Sequence, residues 1–184
     1  NKYNAIIGGG PSHIVHPSDL APMLLTLGAS VTVVGAAGKR VIALDKFFTL
    51  PSEGNIRREN VLKNEEIITE INVPSSPVAA RSTYLKFKER ESLDFALASA
   101  AVAVQLAANR TVRDARIVLG GVAPIPWRVP AAEKFVIGKS LTPEVLAETA
   151  KIALAEARPL EKNAYKVPLA QTLVRRALAK AGSL

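Results

Sequence analysis

The 184 residues carry 24 basic and 16 acidic side chains, a formal net charge of +8, with 48% hydrophobic and 22% charged content. That is chain enough for one solid core or two small ones, since domains cluster near roughly 100 to 150 residues. The absence of cysteine excludes disulfides, iron–sulfur clusters and thiolate metal sites within this chain. No apolar run approaches the ~20 residues of a membrane span, so a soluble protein is expected.

The first recognisable feature is Gly8-Gly9-Gly10, which reads either as an ordinary turn or as a loop that lets backbone approach a phosphate. A Rossmann reading fails, because too few residues precede Gly8 for a strand and no Gly-x-Gly-x-x-Gly follows. His13 and His16 are three apart, but Pro11 and Pro17 favour extended chain and no further ligand is near, so no metal site is expected. Ser18 or Asp19 can cap a short helix carrying Leu20, Leu24 and Leu27 on one side, with Gly28 as its stop. Helix-start electrostatics alone would account for the Asp19 carboxylate.

Val31–Val34 and Arg40–Leu44 predict a hairpin around Gly35 to Gly38. Asp45 predicts a short turn holding Phe47 and Phe48. Leu62 reads as a core residue, and Glu65 and Glu66 as a solvated or helix-end pair and not a catalytic dyad. Ile67, Thr69, Ile71 and Val73 share one face of a further strand that Pro74 ends. Pro74 to Ala80, rich in proline, serine and small residues, is the best boundary candidate.

A second unit is expected from about Arg81. Tyr84, Lys86 and Lys88 alternate with Leu85 and Phe87, so a strand here buries one face and aims both lysines at the other, where they suit an anionic or electron-rich ligand or simply face solvent. Residues 95 to 108 satisfy helix and strand equally. Asn109-Arg110 then turns the chain into a strand from Arg113 to Gly121. Trp127, between Pro126 and Arg128, reads as a buried loop anchor. Pro143 starts a helix running to about Arg158, and a last helix begins near Pro168, with Leu169, Leu173, Ala177 and Ala181 in register and Gly182 as its stop.

The positive charge is uneven. Residues 1 to 92 hold 11 basic against 9 acidic groups, and residues 93 to 184 hold 13 against 7. Lys162, Lys166, Arg175, Arg176 and Lys180 follow the last acidic residue, which fits a solvated helix or an acidic partner subunit. No zinc-finger spacing or aromatic strand signature accompanies the charge, so nucleic-acid binding is not expected. Nor does any Ser/His/Asp set or P-loop appear, and no catalytic residue is predicted.

Gly8-Gly9-Gly10, the run His16-Pro17-Ser18-Asp19-Leu20-Ala21-Pro22, the stretch Leu119-Gly120-Gly121-Val122-Ala123-Pro124-Ile125-Pro126-Trp127-Arg128 and the late Asn163-Ala164-Tyr165-Lys166-Val167 occur in one order. Together they resemble the flavin-carrying medium subunits of the molybdenum hydroxylases, the family of xanthine dehydrogenase and carbon monoxide dehydrogenase. The resemblance implies an α+β fold. Residues 1–76 would be the C-terminal half of a PCMH-type FAD-binding domain, and residues 81–184 a flavoprotein C-terminal domain, a three-stranded antiparallel sheet packed with helices. It also decides residues 95 to 108 for strand.

The same resemblance assigns the cofactor. Gly9 and Ser18 would lie close to FAD and Asp19 against its polar portion, while Leu62 would shield the isoalloxazine ring. Lys86 would sit near the N1/C2=O edge, where a cation stabilises anionic reduced flavin and raises its potential. Arg90 and Asp94 match the family's Lys-x-x-x-Arg-x-x-x-Asp pattern. The implied protein is an oxidoreductase subunit: a large molybdenum-cofactor subunit oxidises the organic substrate, a small subunit relays electrons through two iron–sulfur clusters, and FAD delivers them to NAD+, oxygen or another acceptor. The missing cysteines argue against the branch whose flavoprotein carries its own cluster. The family's glycine-rich pyrophosphate loop is not in this sequence, so the chain is expected to be N-terminally incomplete. The alternative is a non-catalytic assembly module or split fragment that needs another polypeptide to hold FAD. A cytoplasmic location is expected.

Overall fold

The computed structural model describes residues 1–183. After an extended start, α1 (Leu20–Thr26) leads into a three-stranded antiparallel sheet of order β2-β1-β3, made of β1 (Ser30–Gly35), β2 (Gly38–Ala43) and β3 (Ile67–Asn72). The hairpin is the predicted one, pairing Val31 with Ile42 and Gly35 with Gly38. Val31, Val33 and Ile42 are buried with Leu44 and Phe47 beneath α1. β3 departs from expectation: all six of its residues are exposed, and Ile67 keeps 64% of its surface. It is an edge strand, and its alternation reflects strand geometry without a buried face.

The second sheet runs β4-β5-β6-β7, all antiparallel: β4 (Ser82–Phe87), β5 (Ala98–Leu106), β6 (Val112–Gly120) and the two-residue β7 (Trp127–Arg128). The three predicted strands are present, and β7 extends them. β5 is buried on both faces. Ala98, Ala100, Val102 and Val104 point to the helices, whereas Ala101 points to the core under α1. A strand covered on both sides shows a continuous apolar run and no alternation, which is why its sequence suits a helix equally.

α2 (Pro130–Val136), α3 (Pro143–Ala153) and α4 (Lys166–Ser183) cover the far face. Thr142 caps α3 through Val145 N, as expected for the residue before Pro143. The helix ends at Ala153, short of the expected Arg158; the chain then tightens into i−3 turns, and Arg158 N donates to Ile6 O at 2.6 Å. The Pro74–Ala80 stretch is not a loose linker: a 3-10 turn at Pro77–Arg81 buries Val78 to 1% exposure. Among the described residues no helix is long and apolar enough to cross a membrane.

The two termini are tied together. Ile6 and Ile7 lie in the core of the second sheet and its helices. Asn163 Nδ2 donates to Asn4 O at 3.0 Å, Tyr165 Oη to Lys2 O at 3.0 Å, and Lys166 Nζ to Tyr3 O at 2.7 Å and Gly121 O at 2.8 Å. Lys166 therefore leaves the basic surface read from sequence, being 1% exposed.

Burial without a counter-charge pushes Lys166 down from 10.5 to about 8. The unfolded chain keeps this proton up to pH 10.5 while the folded chain releases it from about 8. Stability therefore rises across that window, and the full cost of the buried charge is present below it. Lys166→Met is expected to remove this rise, worth at most about 1.4 kcal/mol per pH unit. Urea unfolding of both proteins between pH 8 and 10 checks it; parallel slopes would contradict it.

Candidate functional site

Ser18 follows Pro17 at the end of an extended stretch and caps α1, its Oγ accepting from Ala21 N at 3.0 Å. The cap leaves Asp19 free of the helix amides, and its side chain makes no capping bond. α1 is set down on the second sheet where Gly120 has no side chain: a Cβ there would stand 2.9 Å from Pro22 Cγ and 2.4 Å from Ser99 Oγ. Asp19 is thereby held against β4.

Tyr84 and Lys86 are two apart on β4 and share a face, opposite Ala101 and Ser99. Tyr84 Oη donates to Asp19 Oδ1 at 2.9 Å, and Lys86 Nζ donates to Asp19 Oδ2 and to Asp94 O, the latter at 3.0 Å. Asp94 is in turn gripped by Arg90, whose Nε lies 3.0 Å from Oδ2. That hydrogen bond lowers the Asp94 carboxyl below its ordinary range. Burial, reinforced by the neighbouring carboxylate, pushes the Tyr84 hydroxyl up, so it stays protonated and a donor.

Leu62 is half-buried and packs against the same apolar cluster as Tyr84. Its carbonyl accepts from Arg58 Nη1 at 2.6 Å, and its amide donates to Asn60 Oδ1 at 3.1 Å. Ser18, Asp19 and Lys86 are thus brought together, with Leu62 bordering them through the cluster. Gly9 opens elsewhere, onto a cavity of about 270 Å³ that it shares with His13, Ser52, Glu156 and Arg158. Trp127 is only partly buried and lays its indole against Gly8.

Beside the Asp19 group lies a cleft of about 390 Å³, lined by His16, Ser18, Arg90, Asp94, Phe95 and Lys166 among others. His16 stacks edge-on against Phe48 at 4.8 Å, and burial pulls it below its ordinary value even with Glu59 close by. Sequence reasoning missed Tyr84, His16 and Lys166 as members of this region. The signals were present: Tyr84 is two from Lys86 on a strand, and His16 and Lys166 stand in the motifs that carry the resemblance.

The residues present fit a large polar cofactor with hydroxyl groups. Nδ1 of His13 and of His16 are buried without a hydrogen-bond partner. They lie on the segment joining the glycine loop to Asp19, and His16 Nδ1 faces Glu59 Oε2 at 3.7 Å. The Asp19 carboxylate is 37% exposed and uses one bond on each oxygen, which leaves lone pairs for a hydroxyl donor.

Residues 2–76 match the FAD binding domain in molybdopterin dehydrogenase, and residues 82–181 match the CO dehydrogenase flavoprotein C-terminal domain. The chain belongs to the FAD-binding medium-chain subunits of the molybdenum hydroxylase family. It is 31% identical to the aldehyde oxidoreductase FAD-binding subunit PaoB of Escherichia coli, over 98% of this chain and 54% of that protein. It is 27% identical to the carbon monoxide dehydrogenase medium chain of Afipia carboxidovorans, over 98% of this chain and 61% of that one. The carbon monoxide dehydrogenase structure from Hydrogenophaga pseudoflava superposes with a TM-score of 0.76 at 32% identity, covering 90% of this chain and 59% of that one. The chain spans between half and two thirds of the length of these relatives.

Proposed function

We propose that this chain is the part of a flavin subunit that holds FAD at Asp19, Ser18, Leu62 and Lys86, with Gly9 contributing from the separate cavity it shares with His13, and that it relays electrons from iron–sulfur clusters on a small partner subunit to NAD+ or another acceptor. A large molybdenum-cofactor subunit would oxidise the organic substrate. In this reading residues 1–76 are the second half of the FAD-binding domain, residues 81–184 close over it, and the complex is cytoplasmic. The observation that carries the reading is the Asp19 carboxylate held between Tyr84 and Lys86, next to Ser18 and Asp94, which line an open cleft.

Bound FAD would supply the junction between one-electron and two-electron chemistry. This chain's residues would position it. Asp19 accepts hydrogen bonds from cofactor hydroxyls, Leu62 excludes water from one side, and Lys86 supplies positive charge that favours the reduced anion. Because Lys86 is paired with Asp19, its removal also leaves that carboxylate uncompensated. Lys86→Met is expected to lower the flavin potential by about 60 mV, the two-electron equivalent of about 3 kcal/mol at an effective dielectric near 20. Spectroelectrochemical titration measures this, and an unchanged potential would contradict the role.

The reading is tested by titrating the purified chain with FAD, followed by absorption and flavin fluorescence, alone and together with the upstream segment of a full-length relative. Stoichiometric binding in either form supports a flavin site on these residues. Binding only with the added segment identifies the chain as one part of a split flavin site, and no binding in either form defeats the proposal.

A further inference from the structure

We propose that Tyr84 is the positioning residue of this site: its hydroxyl fixes the Asp19 carboxylate so that the remaining lone pairs face the cofactor while Lys86 holds the other oxygen. The proposal rests on the reading that Asp19 and Lys86 hold FAD. Asp19 sits just before a seven-residue helix and makes no capping bond, so nothing in its own element sets its rotamer. Lys86 alone would not set it either, because a flexible ammonium stem follows a carboxylate through many orientations.

Tyr84 differs in kind. Its ring is packed against the cluster that holds Leu62, Ala101 and Val118, and its Oη stands 2.9 Å from Asp19 Oδ1. A rigid ring with two side-chain torsions fixes the carboxylate at low entropic cost, and a hydrogen bond to a charged acceptor is among the stronger kinds. The β4 register places Tyr84 and Lys86 side by side, so one strand addresses both oxygens of one carboxylate. The ring also joins Leu62's cluster to the Asp19 pair.

Tyr84→Phe keeps the ring and removes only the hydroxyl. It is expected to weaken FAD binding about tenfold, with the melting temperature close to wild type. It should also lower the flavin potential in the direction of Lys86→Met, because the carboxylate loses a compensating dipole. Adding Asp19→Asn to Tyr84→Phe should weaken binding less than Asp19→Asn does alone, since both act through one carboxylate. Wild-type affinity and potential in Tyr84→Phe would overturn the proposal.

A second arm needs no cofactor. In the ligand-free chain the Tyr84 hydroxyl proton is expected as a slowly exchanging resonance that moves in Asp19→Asn. A resonance indifferent to Asp19→Asn overturns the positioning while leaving the flavin reading standing. A wild type that takes no FAD with or without the upstream segment overturns the flavin reading, and with it the cofactor side of this proposal.

Discussion

Gly121→Ala is expected to destabilise the chain by about 3 kcal/mol, a loss near 10 °C in melting temperature for a domain of this size. Gly121 follows the end of β6 at a φ of +72°, in the left-handed region. A Cβ there would stand 2.7 Å from Ala96 O and 2.9 Å from Leu97 O, both backbone atoms that no side-chain rotation can move. The same residue's carbonyl accepts from the buried Lys166, so a shift at this point reaches the N-terminal segment through Tyr3. Gly38→Ala is the control. Its φ is also positive, at +103°, but nothing lies within 4 Å of an added Cβ, so it should cost the backbone strain alone, about 2 kcal/mol. Equal losses in the two variants would show that crowding at Ala96 and Leu97 contributes nothing.

Glu133→Ala is expected to cost about as much, for a different reason. Glu133 lies on α2, 7% exposed, and accepts from Ile117 N at 2.9 Å. It also accepts from Arg128 Nε at 3.0 Å and Nη2 at 2.9 Å. Removing the carboxylate leaves a buried strand amide and half a guanidinium fork unpaired at once, which costs about 3 kcal/mol. Glu133→Gln keeps an acceptor for Ile117 and should lose less than half of that. Denaturant unfolding of the two variants separates them. A loss under 1 kcal/mol for Glu133→Ala would mean that water replaces these bonds.

These contacts show what a linear reading reaches. The Gly35 to Gly38 hairpin was legible because turn residues and apolar strands are adjacent in sequence. α4 was legible from its helical register, although it starts at Lys166, before Pro168. α2 was not foreseen: it is seven residues long, and its stability comes from β6 and α3 more than from local propensity. The exposure of β3 and the burial of Val78 and Lys166 depend on which elements lie across the fold, information that no window of the sequence contains.

The candidate site divides in the same way. Ser18, Asp19, Leu62 and Lys86 were accessible through motifs, and the structure brings Ser18, Asp19 and Lys86 into one group. The ion pair between Asp19 and Lys86 was not, since 67 positions separate them. Nor was Tyr84's part in it. An aromatic residue on a half-buried strand is ordinarily core, and only the position of Asp19, at the start of an α1 packed on β5 and β6, turns its hydroxyl toward a carboxylate.

The most direct test is a crystal structure of the chain with FAD, obtained with the upstream segment if that is what retains the cofactor. The predicted result is a flavin ring against Leu62 with Lys86 at its edge, and Asp19, still bonded to Tyr84, accepting from a cofactor hydroxyl. FAD bound away from β4, with Asp19 and Lys86 still closed on each other and touching nothing else, would contradict the account.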